Sequence, residues 1–186
     1  MVCRGVAAND SNEHNGVATN GKMVAVNWSS TSSIAVFATD QALTFDPKIP
    51  LIKSHTGNIL DMQWSPFEER LLATCADDGK VKMWVFDDFN GLTGKGHLTE
   101  CDLEIEAHHR KCLSVQWHNS VENIVATHSI DKTVKIWDIN EDRYDEPVIT
   151  LSDFGNDYCT NIKWSPNGKM IGGMSKQKQM FLFDPR

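Results

Sequence analysis

From Ile59 the chain alternates between apolar and polar positions. Leu60, Met62 and Trp64 are interleaved with Asp61 and Gln63, the pattern of a strand that buries one face. Ser65-Pro66 marks a turn, and the apolar run Leu71-Leu72-Ala73-Thr74-Cys75 follows. Asp78-Gly79 is a tight-hairpin signal, because such turns need residues that tolerate positive φ. The alternation then resumes, with Val81, Met83 and Val85 set against Lys82 and Trp84. The pattern predicts three antiparallel strands within about thirty residues. Leu103 to Ala107 supplies a fourth, outer one.

The same pattern returns downstream. His55–Phe86 aligns without gaps with His108–Ile139, matching at His55/His108, Gln63-Trp64/Gln116-Trp117, Ala73-Thr74/Ala126-Thr127, Asp78/Asp131, Lys82/Lys135 and Trp84/Trp137. A weaker copy over Asp157–Asp184 needs one deletion before Met170. Trp64, Trp117 and Trp164 therefore recur about 50 residues apart, and strand-rich units with that period are the blades of a β-propeller. The expected fold is all-β, a partial propeller of about three and a half blades. Residues 1–21, rich in Asn, Gly, Ala and Ser, read as a flexible terminal segment with at most a short strand around Gly16–Thr19. The first blade spans 22–54, with strands at Met23–Asn27, Ile34–Ala38 and Pro47–Ser54. The second spans 55–107 and carries an insert over Asn90–Glu100; the third spans 108–152, and 157–186 holds three strands of a fourth.

The matched set His55, Thr74, Asp78 and Trp84 resembles the hydrogen-bond tetrad of WD repeats. His108, Thr127, Asp131 and Trp137 repeat it, and Trp137-Asp138 is a literal WD pair. The resemblance implies a structural role, tying the outer strands and the entering loop of one blade together. The chemistry suits that role: a buried imidazole can donate to a carboxylate and accept from a hydroxyl, and such a network is stable when every member is satisfied. The weaker copy has Gly155, Gly173, Gln177 and Phe183 at the four positions, so its blade is expected to be less rigid.

The wording of the repeats resembles the coronin family more narrowly. His55-Thr56-Gly57, Trp64-Ser65-Pro66-Phe67, the Asn90–Glu100 insert and the closing Phe183-Asp184-Pro185-Arg186 carry that resemblance. It covers about residues 22–186 and resembles the first half of a coronin propeller; Ser-Pro-Phe and Leu-Leu-Ala-Thr lean toward the tandem-propeller members. The resemblance implies a ring of seven blades, which about three and a half cannot close. The chain is accordingly expected to be part of a longer protein rather than a short isoform that pairs with another half-ring.

Composition narrows the function. With 40% hydrophobic and 23% charged residues and a net charge of −7, the chain is of soluble type and unsuited to broad binding of nucleic acid or anionic membranes. No apolar run reaches transmembrane length, so integral membrane association is not expected. The first residues lack a signal-peptide core, which points to the cytoplasm. The cysteines number five, an odd count without a Cys-x-x-Cys pair, as in a reducing compartment. His97, Cys101, His108, His109 and Cys112 are the nearest approach to a zinc set, but no pair has knuckle spacing and the tetrad claims His108, so no metal is expected. There is no Gly-x-Ser-x-Gly elbow and no phosphate loop, so neither catalysis nor a cofactor is expected.

A binding scaffold fits these features. The coronin resemblance implies binding to actin filaments, regulation of actin organisation, and contacts with other cytoskeletal proteins in the cytoplasm. Filaments are acidic, so an acidic protein must meet them through a local basic patch. The candidate contacts are Arg4, which the resemblance places near a filament-contacting arginine of coronins, and Arg110-Lys111 on the loop entering the third blade. The alternative is a generic WD-repeat adaptor of another complex, without actin binding.

Overall fold

The computed structural model describes residues 15–28, 30–40, 49–93, 95–140, 144–152 and 157–185. Among them every regular element is a strand, and the strands fall into four antiparallel sheets. No helix is long and apolar enough to cross a membrane among the described residues. The first sheet contains β1 (Val17–Thr19), β2 (Met23–Asn27) and β3 (Ile34–Ala38), in that spatial order. The second contains β4 (Ile59–Trp64), β5 (Leu71–Ala76), β6 (Val81–Val85) and β7 (Leu103–Ile105). The third contains β8 (Cys112–Trp117), β9 (Ile124–Ser129), β10 (Val134–Asp138) and β11 (Ile149–Leu151). The fourth contains β12 (Cys159–Trp164), β13 (Ile171–Ser175) and β14 (Met180–Phe183). Each sheet is a meander in sequence order, and its first strand packs beside the first strand of the next sheet, so β1, β4, β8 and β12 stand in one row.

Stacking of the sheets explains the side-chain pattern. An internal sheet is covered on both faces, and β5 is accordingly buried from Leu72 to Ala76, as a continuous apolar run allows. Leu72 and Trp84 turn to the first sheet, where they meet Met23, Ile34 and Val36. Ala73, Cys75 and Met83 turn the other way, toward Val115, Trp117 and Val125 of the third sheet. Ala126 and Ile136 then meet Ile162, Trp164 and Ile171 of the fourth. Beyond that the apolar covering stops: Met180 is 87% and Leu182 65% exposed on β14.

The pairing of the first two strands shifts register at the same place in three sheets, between Ile59 and Asp61, between Cys112 and Ser114, and between Cys159 and Asn161. A bulge re-aims the side chains beside it. Here it turns Asp61, which the alternation marks as a polar-face residue, into a buried one.

The first sheet differs from its expected layout. Val17–Thr19 is a full strand paired with β2 through Val17↔Val26 and Thr19↔Val24, so this sheet begins ahead of residue 22. The segment expected to form its third strand contributes only a single bridge, Ile34↔Ile52, on the outer side of β3; 47 and 48 lie outside the described residues. The physical reason is the 90–100 insert. Gly91 bridges Phe37, and Leu98 pairs in parallel with Ile52, so a loop of the second sheet supplies the partners that a longer outer strand would have supplied. Gly91 lies at φ 62, and a Cβ there would fall 2.4 Å from the Val36 carbonyl oxygen, an approach that only glycine tolerates.

Candidate functional site

The second sheet brings His55, Thr74, Asp78 and Trp84 into one network. The imidazole Nδ1 of His55 donates to Asp78 Oδ2 at 2.9 Å. Its Nε2 must then accept, and it lies 2.9 Å from the Thr74 hydroxyl. Trp84 Nε1 donates to the same hydroxyl at 3.0 Å. The third sheet repeats the geometry: His108 Nδ1 to Asp131 Oδ2 at 3.0 Å, Nε2 to Thr127 Oγ1 at 2.8 Å, and Trp137 Nε1 to Thr127 Oγ1 at 3.0 Å. Each threonine sits in the middle strand, each tryptophan in the next strand, and each aspartate in the turn that joins them.

The electrostatics follow from this packing. Burial acts to raise the Asp78 carboxyl, but the His55 hydrogen bond and charge outweigh it and bring the pKa to about 2. Asp131 is held further below the usual carboxylate range by His108 and Thr133, against the same burial effect. Burial pushes His108 down in turn, against the pull of Asp131, which favours the neutral ring that the Nε2 acceptor role requires. These are closed, satisfied networks with no open coordination or nucleophile. Among the described residues no group of three or more His, Cys, Asp or Glu side chains is placed to hold a metal. His97 is occupied by accepting the Leu51 N–H at Nδ1, 3.0 Å away.

The fourth sheet is joined differently. Gly173 and Phe183 occupy the threonine and tryptophan positions, and Gly155 lies outside the described residues. Asp157 Oδ2 accepts the Gln177 N–H at 2.8 Å, linking the entering segment to the turn without an imidazole.

A second set of contacts, unread from the sequence, joins sheet to sheet. Trp64 Nε1 donates to the Ala18 carbonyl at 3.2 Å, Trp117 Nε1 to the Gln63 carbonyl at 3.0 Å, and Trp164 Nε1 to the Gln116 carbonyl at 3.3 Å. The recurring Gln-Trp pair is the signal that could have revealed it: Gln63 Oε1 also accepts the Trp117 N–H at 2.8 Å. Asp61 ties its own sheet to the third sheet and to the segment leading into β1. Its Oδ1 accepts from Asn15 Nδ2 and Oδ2 from the Val115 N–H, at 2.9 and 3.1 Å. Burial nevertheless raises its pKa above the usual carboxylate value.

The structure describes part of the basic candidate set. Arg4 lies outside the described residues. Arg110 and Lys111 are both exposed on the loop between β7 and β8. Lys111 Nζ is paired with Asp77 Oδ1 at 2.9 Å, across the boundary between sheets. The loop itself is held by the Asp78-Gly79 turn, where Gly79 takes φ 78, its N–H donates to the Ala76 carbonyl at 3.1 Å, and its own carbonyl accepts the His108 N–H at 2.9 Å.

Four consecutive sheets stacked through their first strands, with the His–Thr–Asp–Trp network in the second and third, define a WD-repeat β-propeller segment. A family model described as WD domain, G-beta repeat, matches residues 47–85 and 99–138. The relatives within that class are coronins. Coronin-2A of Homo sapiens is 31% identical over 76% of this chain and 26% of its own length. The coronin-like protein of Saccharomyces cerevisiae is 28% identical over 96% of this chain and 28% of its own. The crystal structure of the WD40 domain of Toxoplasma gondii coronin superimposes with a TM-score of 0.82 at 25% identity, covering 95% of this chain and 44% of that one. The chain is a WD-repeat segment similar to those of coronins, and it spans less than a third of the length of these curated relatives.

Proposed function

We propose that this chain is part of a non-enzymatic, actin-filament-binding scaffold of the coronin type, which organises the actin cytoskeleton in the cytoplasm together with other cytoskeletal proteins. The observation that supports this most is the coronin likeness extending across 95% of the chain in both sequence and fold. Rigid sheets carrying exposed loops are a platform for protein recognition rather than for bond-making chemistry. With a net charge of −7, attraction to an acidic filament has to come from a local patch. Arg110 is the more available cation of the proposed pair, because Lys111 already faces Asp77. A contact of this kind is screened as ionic strength passes about 0.1 M.

The test is co-sedimentation of the full-length protein with filamentous actin across a salt series. Binding at low salt that weakens with added salt, and weakens further in Arg110→Glu/Lys111→Glu, is the expected result. Unchanged binding in that double variant and in Arg4→Glu would move the contact elsewhere on the protein. Absence of co-sedimentation at every salt concentration would replace actin binding with the adaptor role.

A further inference from the structure

His128 is the one buried imidazole among the described residues with neither ring nitrogen in a well-formed hydrogen bond. It is 0% exposed in β9, paired across the backbone with Ser114 of β8 and Val134 of β10. Its side chain shares a sheet face with Ala126, which packs on Cys159, Ile162 and Trp164 of the fourth sheet. Buried polar groups without partners are rare in native proteins and carry a penalty. It lines a polar cavity of about 240 Å³ with Asp61, Ser114, Gln116, Asn161 and Lys163.

None of the surrounding titratable groups is arranged to receive a proton-bearing ring. The Asp61 carboxylate already accepts from Asn15, Met62, Val115 and Gln116. The Lys163 ammonium is held on Gln116 Oε1 at 2.7 Å and would repel an imidazolium. The Cys159 thiol is kept neutral by burial; the Cys159 backbone is the one neighbour that favours a charged ring, and it is outweighed by burial and by the proximity of His108. Burial, the larger effect, and His108 together bring the His128 pKa to about 4.

We propose that His128 is an acid-operated release at the contact between the third and fourth sheets: when the buried imidazole takes up a proton, it leaves its apolar site and the fourth sheet separates. The fourth sheet is the one suited to such a release, since it lacks the His–Thr–Asp–Trp network. Below the ordinary histidine value the unfolded ring binds a proton that the folded site refuses, so the contact weakens as pH falls from about 6.5 toward 4. The second sheet offers an internal control. Cys75 follows Thr74 there, as His128 follows Thr127, and it packs without an imidazole.

The experiment is hydrogen exchange on the chain at pH 7 and pH 4.5, with protection corrected for the intrinsic rates. Amides of β12–β14 are expected to lose roughly 50-fold in protection in the parent protein. In His128→Cys, which copies the second sheet, the loss is expected to fall below about 5-fold. His128→Met, closer in volume, serves if the cysteine variant packs poorly. His118 lies at the same boundary, where its Nε2 donates to the Gly168 carbonyl and its Nδ1 accepts from Ser120 and Val121, so His118→Asn is measured alongside. Retention of the acid loss in both His128 variants overturns the proposal. So does its removal by His118→Asn alone, or an equal and simultaneous loss across β4–β7.

Discussion

Replacing Thr127 separates hydrogen bonding from packing in the third-sheet network. Thr127 is 0% exposed, and its hydroxyl accepts from Trp137 Nε1 at 3.0 Å while donating to His108 Nε2 at 2.8 Å. Thr127→Val preserves shape and removes both contacts. An indole N–H and an imidazole nitrogen are then buried without partners, at about 1–3 kcal/mol each, so the expected loss is about 2–6 kcal/mol. Thr127→Ser keeps the hydroxyl and removes one methyl, for a loss of about 1 kcal/mol. Packing alone predicts the reverse order, because valine fills the site and serine does not. Urea denaturation at pH 7, following tryptophan fluorescence, measures both, with the shift in midpoint interpreted at constant slope. A serine variant as destabilised as the valine variant, or more so, refutes the account. Adding Trp137→Phe to Thr127→Val should recover part of the loss, since it removes one of the two orphaned groups.

Two further outcomes follow from the same geometry. Asp78 has a folded pKa of about 2 against an ordinary value of 3.8, so its stabilising contribution is complete above about pH 4 and lost as pH falls toward 2; acid titration of Asp78→Asn should show a shallower decline in that window than the parent protein, and identical curves would count against the His55–Asp78 link. Gly79→Ala should cost at least about 2 kcal/mol in thermal or urea unfolding, because a Cβ at φ 78 would lie 2.3 Å from the His108 carbonyl oxygen and 2.9 Å from that of Arg110; a neutral effect would mean that the loop entering the third sheet shifts freely.

The sequence by itself carried the all-β propeller class, the strands of the second and third sheets, and the equivalence of the tetrad positions. The reason is that these features are local and periodic. Alternation marks strands, Asp78-Gly79 marks a hairpin, and a repeat shows itself by self-comparison within one chain. What only the tertiary structure decided is what each sheet leans on. The bulge before Asp61 turns a residue marked polar by alternation into a buried clamp between its own sheet, the third sheet and the segment entering β1. Trp64, Trp117 and Trp164 were legible as repeat markers, but their indole donors reach carbonyls in the preceding sheet, 46 to 54 residues away. The 90–100 insert belongs to the second sheet in sequence and serves the outer edge of the first in space. Around Gly16–Thr19 the sequence allowed at most a short strand, and Val17–Thr19 becomes one because Val24 to Val26 and β4 lie beside it. Such contacts depend on sheets stacking in a row, and that arrangement leaves no periodic trace in the chain.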